Sequence, residues 1–201
     1  SIWGNKLAVL AGDYLYAKAL NILVDINDNE ILKTISSVAQ EMGEGELLQQ
    51  ENALEYDLTE EKYYEVIRKK TAVLFSACCQ IGAIVGKAEE SEKQKMYELG
   101  RCLGIAFQIQ DDILDYSKSL DTGKAYGNDI REQKITLPLI YGLRNANGSQ
   151  QELVENIYHK ETIAQHEVDD VIDLITELGG IEQCKKAIDY HINRAYELLD
   201  C

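Results

Sequence analysis

The sequence predicts an all-α protein, and three observations carry that prediction. Apolar residues recur at helical spacing through almost the whole chain, and no alternating run reads as a strand. A single proline, Pro138, leaves long stretches free to be helical. With 201 residues, 45% hydrophobic and 27% charged, the chain has the composition of a globular protein with a full core. The periodicity places helices over 4–25, 29–53, 59–86, 91–118, 135–145, 149–158, 164–178 and 181–200. No internal repeat or low-complexity segment divides them, so 1–201 reads as one domain.

The first helix contains Leu7-Ala8-Val9-Leu10-Ala11-Gly12, apolar enough to need partners on several sides. The chain enters it within a few residues of Ser1, so the expectation is a fragment that begins inside a larger protein. In the second, Gly43-Glu44-Gly45-Glu46-Leu47-Leu48-Gln49 is expected to end or kink the helix. Glu46 and Gln49 there either support a nearby site or form a polar helix end. Thr59 opens the third ahead of Glu60 and Glu61, acids that the helix dipole favours in a first turn. Within it, Lys69-Lys70-Thr71 leads into Ala72-Val73-Leu74-Phe75. A lysine beside a hydroxyl suits a diphosphate; a snorkelling lysine and a threonine bonded to its own helix explain the pair as well. Ser91 with Gln94 reads as a capping box for the fourth helix. Gly179-Gly180 reads as a helix stop near the C-terminus.

Net charge is −15, with a pI near 4.6. That argues against nucleic acid or an anionic membrane as partner, because both bind basic surfaces. An acidic protein that handles a phosphate ester needs metal ions or a local lysine cluster. Cys78, Cys79, Cys102, Cys184 and Cys201 show no C-x-x-C spacing and are odd in number. Reduced, buried thiols and a cytoplasmic location follow. His159, His166 and His191 are scattered, which speaks against a structural zinc site. No signal peptide and no uninterrupted apolar run of membrane length is seen, so no transmembrane segment is expected.

The most informative motif is Asp111-Asp112-Ile113-Leu114-Asp115. At about 100° per residue, Gln108, Asp111, Asp112 and Asp115 fall on one helix face. Like charges at this spacing repel, so something positive should compensate them. Hard oxygens on one face suit Mg²⁺, which takes one or two carboxylates and completes its shell with water and phosphate. Spacing alone is weak, since Asp169-Asp170-Val171-Ile172-Asp173 repeats it. The second copy sits in an amphipathic helix and reads as a solvated face. The first has apolar flanks, so its acids are expected to point into a cavity, and Gly104, one turn before Gln108 on the same face, leaves room for a ligand or a close helix. Residues 117–134 form a long polar loop beyond it, carrying Lys124, Asp129 and Lys134. Loops of that length in helical domains are usually functional.

Taken together, these residues resemble a trans-isoprenyl diphosphate synthase. The likeness rests on Leu10-Ala11-Gly12-Asp13-Tyr14-Leu15, Gly45-Glu46-x-x-Gln49, Lys70-Thr71-Ala72 and Leu103-Gly104-Ile105-Ala106-Phe107-Gln108-Ile109-x-Asp111-Asp112-x-x-Asp115. It continues through Gly123-Lys124 and Gly127-Asn128-Asp129-x-x-x-x-Lys134-x-Thr136-Leu137-Pro138. It spans most of the chain, in order. Asp13-Tyr14-Leu15 and Asn128-Asp129-Ile130-Arg131 are nearer the medium- and long-chain (heptaprenyl- or octaprenyl-like) polyprenyl synthases than the farnesyl enzymes.

The resemblance implies an isoprenoid-synthase helical bundle around a central cavity, of which this chain holds the C-terminal two-thirds. It implies Mg²⁺ on Asp111, Asp112 and Asp115, the second of two aspartate-rich motifs. It implies that Lys70, Thr71, Gln108, Lys124 and Lys134 contact an allylic diphosphate or steady a carbocation, with Asp129 supporting the metals. The first motif and the basic residues for isopentenyl diphosphate should lie upstream of Ser1, so the N-terminal helices are missing. The activity implied is condensation of an allylic diphosphate with isopentenyl diphosphate to a trans-polyprenyl diphosphate, with the fragment inactive alone. A homodimer is implied too, with a separate N-terminal fragment as a possible further partner. A non-catalytic helical subunit or degenerate homologue is the alternative, and a terpene cyclase is disfavoured by the Gly-Asn-Asp-Ile-Arg loop.

Overall fold

The computed structural model describes residues 4–52, 59–118 and 126–199, with the backbone alone at Asn52. Ten α-helices and one π-helical turn account for most of these residues, and no strand occurs among them, so the all-α expectation holds. The helices are α1 (Asn5–Ile26), α2 (Asn29–Asn52), α3 (Glu60–Ile67), α4 (Val73–Val85), α5 (Glu90–Asp115), α6 (Asn128–Arg131), α7 (Leu137–Leu143), α8 (Gly148–Tyr158), α9 (Gln165–Glu177) and α10 (Gly180–Leu199). Arg68–Ala72 between α3 and α4 is π-helical.

α5 is the axis of the fold. Leu99, Cys102, Ile105, Ala106, Ile109 and Ile113 recur at three- and four-residue steps and are all buried. α4 packs along one side of it and α10 along another. Tyr63, Ile67, Ile105, Ile109, Leu137 and Cys184 share one core, which closes the floor beneath the aspartates. A second core gathers Ile130, Leu139, Val154 and Ile175 around α9.

Several expectations need correction. The run 59–86 is not one α-helix: the π turn at Arg68–Ala72 interrupts it. α2 neither ends nor kinks at Gly43–Gln49 but continues to Asn52. Gly45 is there for contact, since a Cβ would come within 2.7 Å of the Lys70 amide nitrogen. Gly104 serves the second of its two expected uses, the close helix: its Cβ would sit 2.6 Å from Ala72 Cα. Ser91 and Gln94 form no capping box, because α5 starts at Glu90 behind Glu89 and Gln94 turns to Glu98. Thr59 does cap α3, accepting from Lys62 N at 3.3 Å, and Gly179 follows α9 at φ +79°. The 117–134 stretch carries the short helix α6, too brief to show a period. Of the thiols, Cys102 and Cys184 are buried but Cys78 is exposed, and Cys201 lies outside the described residues.

α1 has no buried residue, and Val9, Tyr14, Leu15 and Val24 are each more than 60% exposed. By length and composition alone it is apolar enough to cross a membrane, with a mean hydropathy of 1.4. Asp13 and Lys18 interrupt it, so it is not an uninterrupted apolar run of membrane length.

Candidate functional site

A cavity of about 250 Å³ opens where α5, the π turn and the loop before α7 meet. Gln49, Lys70, Thr71, Gln108, Asp111 and Asp112 line its polar side, with Asp129, Lys134 and Thr136 opposite. Val66, Ile67 and Ile135 form its apolar wall.

The geometry starts from Asp112. It lies on the inner face of α5 and is 4% exposed. Tyr63 Oη donates to its Oδ2 at 2.6 Å, and Gln108 Nε2 donates to its Oδ1 at 2.9 Å. Thr71 Oγ1 in turn donates to Gln108 Oε1 at 2.7 Å, which fixes the amide. A row of hydrogen bonds, part-buried at Thr71 and Gln108 and buried at Asp112 and Tyr63, therefore joins the π turn, α5 and α3 through side chains alone. Burial pushes the Asp112 carboxyl up to about 7 against its two hydrogen bonds, and the nearby Asp129 and Asp111 charges add to the rise. Asp129 is raised as well, by burial and then by Asp115. The cavity thus concentrates negative charge that its own lysines only partly neutralise.

Lys70 is presented by the π turn, a rare geometry that recurs at functional sites. Its ammonium donates to Gln49 Oε1 at 2.5 Å and lies 2.9 Å from Glu46 Oε2. Lys134 pairs with Glu132 at 2.6 Å and Asp129 at 3.4 Å. Burial opposes its charge, yet these carboxylates hold its ammonium above the ordinary range.

Seven of the nine site residues expected from sequence therefore line one cavity: Lys70, Thr71, Gln108, Asp111, Asp112, Asp129 and Lys134. Asp115 lies beside it with both oxygens engaged. They accept from Asn128 N at 3.0 Å and Asp129 N at 2.9 Å, so Asp115 caps α6 and anchors the Lys134 loop to α5. Lys124 lies outside the described residues. Among those residues, no three acidic, histidine or cysteine side chains are gathered closely enough to hold a metal unaided. The second Asp-Asp motif is at the surface: Asp170 and Asp173 are exposed, and Lys118 Nζ meets Asp173 at 2.6 Å.

Sequence reasoning missed Tyr63, which lies 49 positions from Asp112. The usable signal was its register, since Tyr63, Ile67 and Lys70 fall on one helix face. It also missed Thr136, whose buried hydroxyl faces the cavity without a well-formed hydrogen bond among the described residues.

Comparison with known proteins accords with this arrangement. The family model described as polyprenyl synthetase matches residues 1–175. An all-trans-nonaprenyl-diphosphate synthase (geranyl-diphosphate specific) of Rhodobacter capsulatus is 37% identical over 200 residues, covering 98% of this chain and 60% of the relative. The crystal structure of a polyprenyl synthase from Caulobacter crescentus, complexed with calcium and isoprenyl diphosphate, superposes with a TM-score of 0.94 at 30% identity. It matches 99% of this chain and 61% of its own. A geranylgeranyl pyrophosphate synthase from Bacteroides thetaiotaomicron gives 0.90 at 39%, over 99% and 66%. The chain thus spans about 60% of the length of the curated relatives it matches. These superpositions take in 99% of the chain.

Proposed function

Because this chain belongs to the polyprenyl synthetase family, we propose that it forms the second aspartate-rich wall of a prenyl-transfer site. The reaction joins an allylic diphosphate to isopentenyl diphosphate and yields a trans-polyprenyl diphosphate for isoprenoid biosynthesis. The observation that carries this reading is the row Thr71–Gln108–Asp112–Tyr63, set in one cavity with Asp111, Lys70 and Lys134.

The donor set fits Mg²⁺. Asp111 and Asp112 offer hard oxygens; burial above all, and then the Asp129 and Asp111 charges, raise Asp112, and a divalent cation would favour its ionised form. Asp111 and Asp112 would hold it, with Asp115 contributing through the lone pairs left by its two backbone hydrogen bonds. Bound there, Mg²⁺ supplies positive charge to the departing diphosphate. Lys70 and Lys134, already steered by Glu46, Gln49 and Asp129, offer ammonium groups to the same oxygens. Gln108 and Thr71 would offer dipoles to an allylic cation formed there. Val66, Ile67 and Ile135 exclude water from it. Lys124 would extend the diphosphate contacts.

Titration of the purified chain with a bisphosphonate, with and without Mg²⁺, tests this reading. Binding should require Mg²⁺, should be lost in Asp111→Ala and should persist in Asp169→Ala. Absence of Mg²⁺-dependent binding would overturn it. With farnesyl diphosphate, isopentenyl diphosphate and Mg²⁺, the chain alone should show no robust turnover, because it carries only one of the two motifs.

A second reading makes the chain a non-catalytic helical subunit or degenerate homologue. It is favoured by the engagement of Asp115 in capping α6 and by the lack of a ready three-carboxylate cluster among the described residues. The same titration separates the two readings. Cytoplasmic location, homodimerisation and assembly with a separate N-terminal fragment belong to the proposal as well. The support for assembly is the bare apolar surface of α1.

A further inference from the structure

A second cleft, of about 480 Å³, lies between α3, α5 and α10, behind the wall of the first cavity. α3 sends Tyr63, Val66 and Ile67 into the cavity, and Tyr64 and Glu65 into the cleft. α5 divides in the same way: Gln108, Asp111 and Asp112 face the cavity, while Arg101, Cys102 and Ile105 face the cleft. Three arginines from three elements line the cleft: Arg68 of the π turn, Arg101 of α5 and Arg194 of α10. That concentration stands out in a chain with net charge −15. Glu61 and Glu65 are the carboxylates among its lining residues.

These arginines are open to a ligand. Arg101 and Arg194 pair with Glu98 and Glu197, each three residues away on the same helix and neither in the cleft lining. Exposed pairs of that kind are weak and yield to a better anion. No carboxylate is seen paired with Arg68 among the described residues. Between the arginines the rings of Tyr64, His191 and Tyr190 form a step, with centroids 5.9 and 5.2 Å apart. Burial, and then Arg101, hold His191 below its ordinary range, so the imidazole is neutral and offers one N–H. Guanidinium forks match phosphate oxygens in pairs.

We infer that this cleft is a second anion site, which takes a diphosphate group on Arg68, Arg101 and Arg194 without a metal ion. It differs in kind from the aspartate cavity, which repels a diphosphate unless a cation intervenes. Arg68 is also the first residue of the π turn that presents Lys70 and Thr71. A ligand on Arg68 therefore bears on the cavity through the wall the two sites share. The diphosphate arrives either free or as the head group of a prenyl ester, a choice of carriers that rests on the function proposed above.

The test is calorimetric titration of the 201-residue chain with inorganic diphosphate in EDTA, free of divalent metal. One saturable site is expected. Arg68→Ala combined with Arg194→Ala should weaken it at least tenfold, and Arg194→Gln alone should weaken it severalfold. Both side chains are exposed, and circular dichroism checks that the helices are retained. Asp111→Ala should leave it within twofold. No binding in EDTA, binding indifferent to both arginine variants, or binding lost in Asp111→Ala would overturn the inference. None of these outcomes touches the Mg²⁺-dependent binding that tests the cavity. Isopentenyl diphosphate under the same conditions identifies the carrier. Tighter binding than inorganic diphosphate assigns a prenyl ester with its tail on the aromatic step. Equal or weaker binding assigns free diphosphate.

Discussion

Asp111-Asp112-x-x-Asp115 and Asp169-Asp170-x-x-Asp173 share a spacing and a helical backbone, yet they are chemically unlike. In the first, Asp112 is buried and takes hydrogen bonds from Tyr63 and Gln108. Asp115 caps a neighbouring helix there. In the second, Asp170 and Asp173 face solvent, and the contacts include a surface pair of Lys118 with Asp173 and bonds from Gln165 and Tyr126 to Asp169. The difference lies in what packs against each helix. α5 receives the π turn at backbone distance through Gly104, and that approach brings Thr71 and Lys70 to the aspartates. α9 turns Val168, Val171, Ile172 and Ile175 inward, which leaves its acids outside. A carboxylate triplet becomes a candidate site when other elements supply its partners.

The largest effect that separates the two motifs is a pH dependence. Asp112 is raised to about 7 in the folded chain, against about 4 unfolded. Between those values the folded state binds more protons, so stability falls as pH rises from about 4 to about 7 and levels off above. The span is at most on the order of 4 kcal/mol, at roughly 1.4 kcal/mol per pH unit. Urea denaturation at stepped pH should show this fall, and Asp112→Asn should flatten it. Asp170→Asn should leave the profile as it is. Identical profiles for the two variants would mean that the motifs do not differ in burial.

The helices were legible because tertiary packing uses the same periodicity that the sequence displays; α5, with its core residues at three- and four-residue steps, is the clearest case. The π turn was not legible. It adds one residue to a helical turn without changing residue types, and Lys69-Lys70-Thr71 looks the same in either geometry. α6 escaped notice because four residues show no period, and its cap, Asp115, comes from 13 residues away. At the site, the members of a local motif were found and the distant partner was not. Asp111, Asp112 and Gln108 lie within one helical turn, whereas Tyr63 reaches Asp112 only through the packing of α3 on α5. Gln49 and Glu46 show no partner in the sequence, and in the fold they hold Lys70.

Gly104→Ala probes the close approach itself and should have the next effect. The added methyl would stand 2.6 Å from Ala72 Cα and 3.0 Å from its Cβ, so α5 and the π turn must separate. Overpacking of this kind costs about 1–3 kcal/mol, more than the helix propensity that alanine returns. Thermal melts should show the loss, and Mg²⁺-dependent bisphosphonate binding should weaken because Thr71 and Gln108 move apart. Unchanged melting and binding would detach the site from the glycine contact.

The smallest effect compares the third aspartate of each motif. Asp115 accepts from two backbone amides at the start of α6, as a capping side chain does. Asp115→Ala leaves both amides without that partner and frees the loop that carries Lys134, at a cost of about 1 kcal/mol. Asp173→Ala removes only an exposed pair with Lys118, which contributes little in water. Amide hydrogen exchange should therefore quicken at Asn128 and Asp129 in Asp115→Ala and stay at the parent rate there in Asp173→Ala. A carboxamide at this position keeps one acceptor oxygen, so Asp115→Asn should restore part of the protection without restoring the charge. If protection instead survives Asp115→Ala, the loop is held by Gln133 on the Lys160 carbonyl and Arg131 on the Tyr126 carbonyl, and Asp115 is free to serve a metal fully.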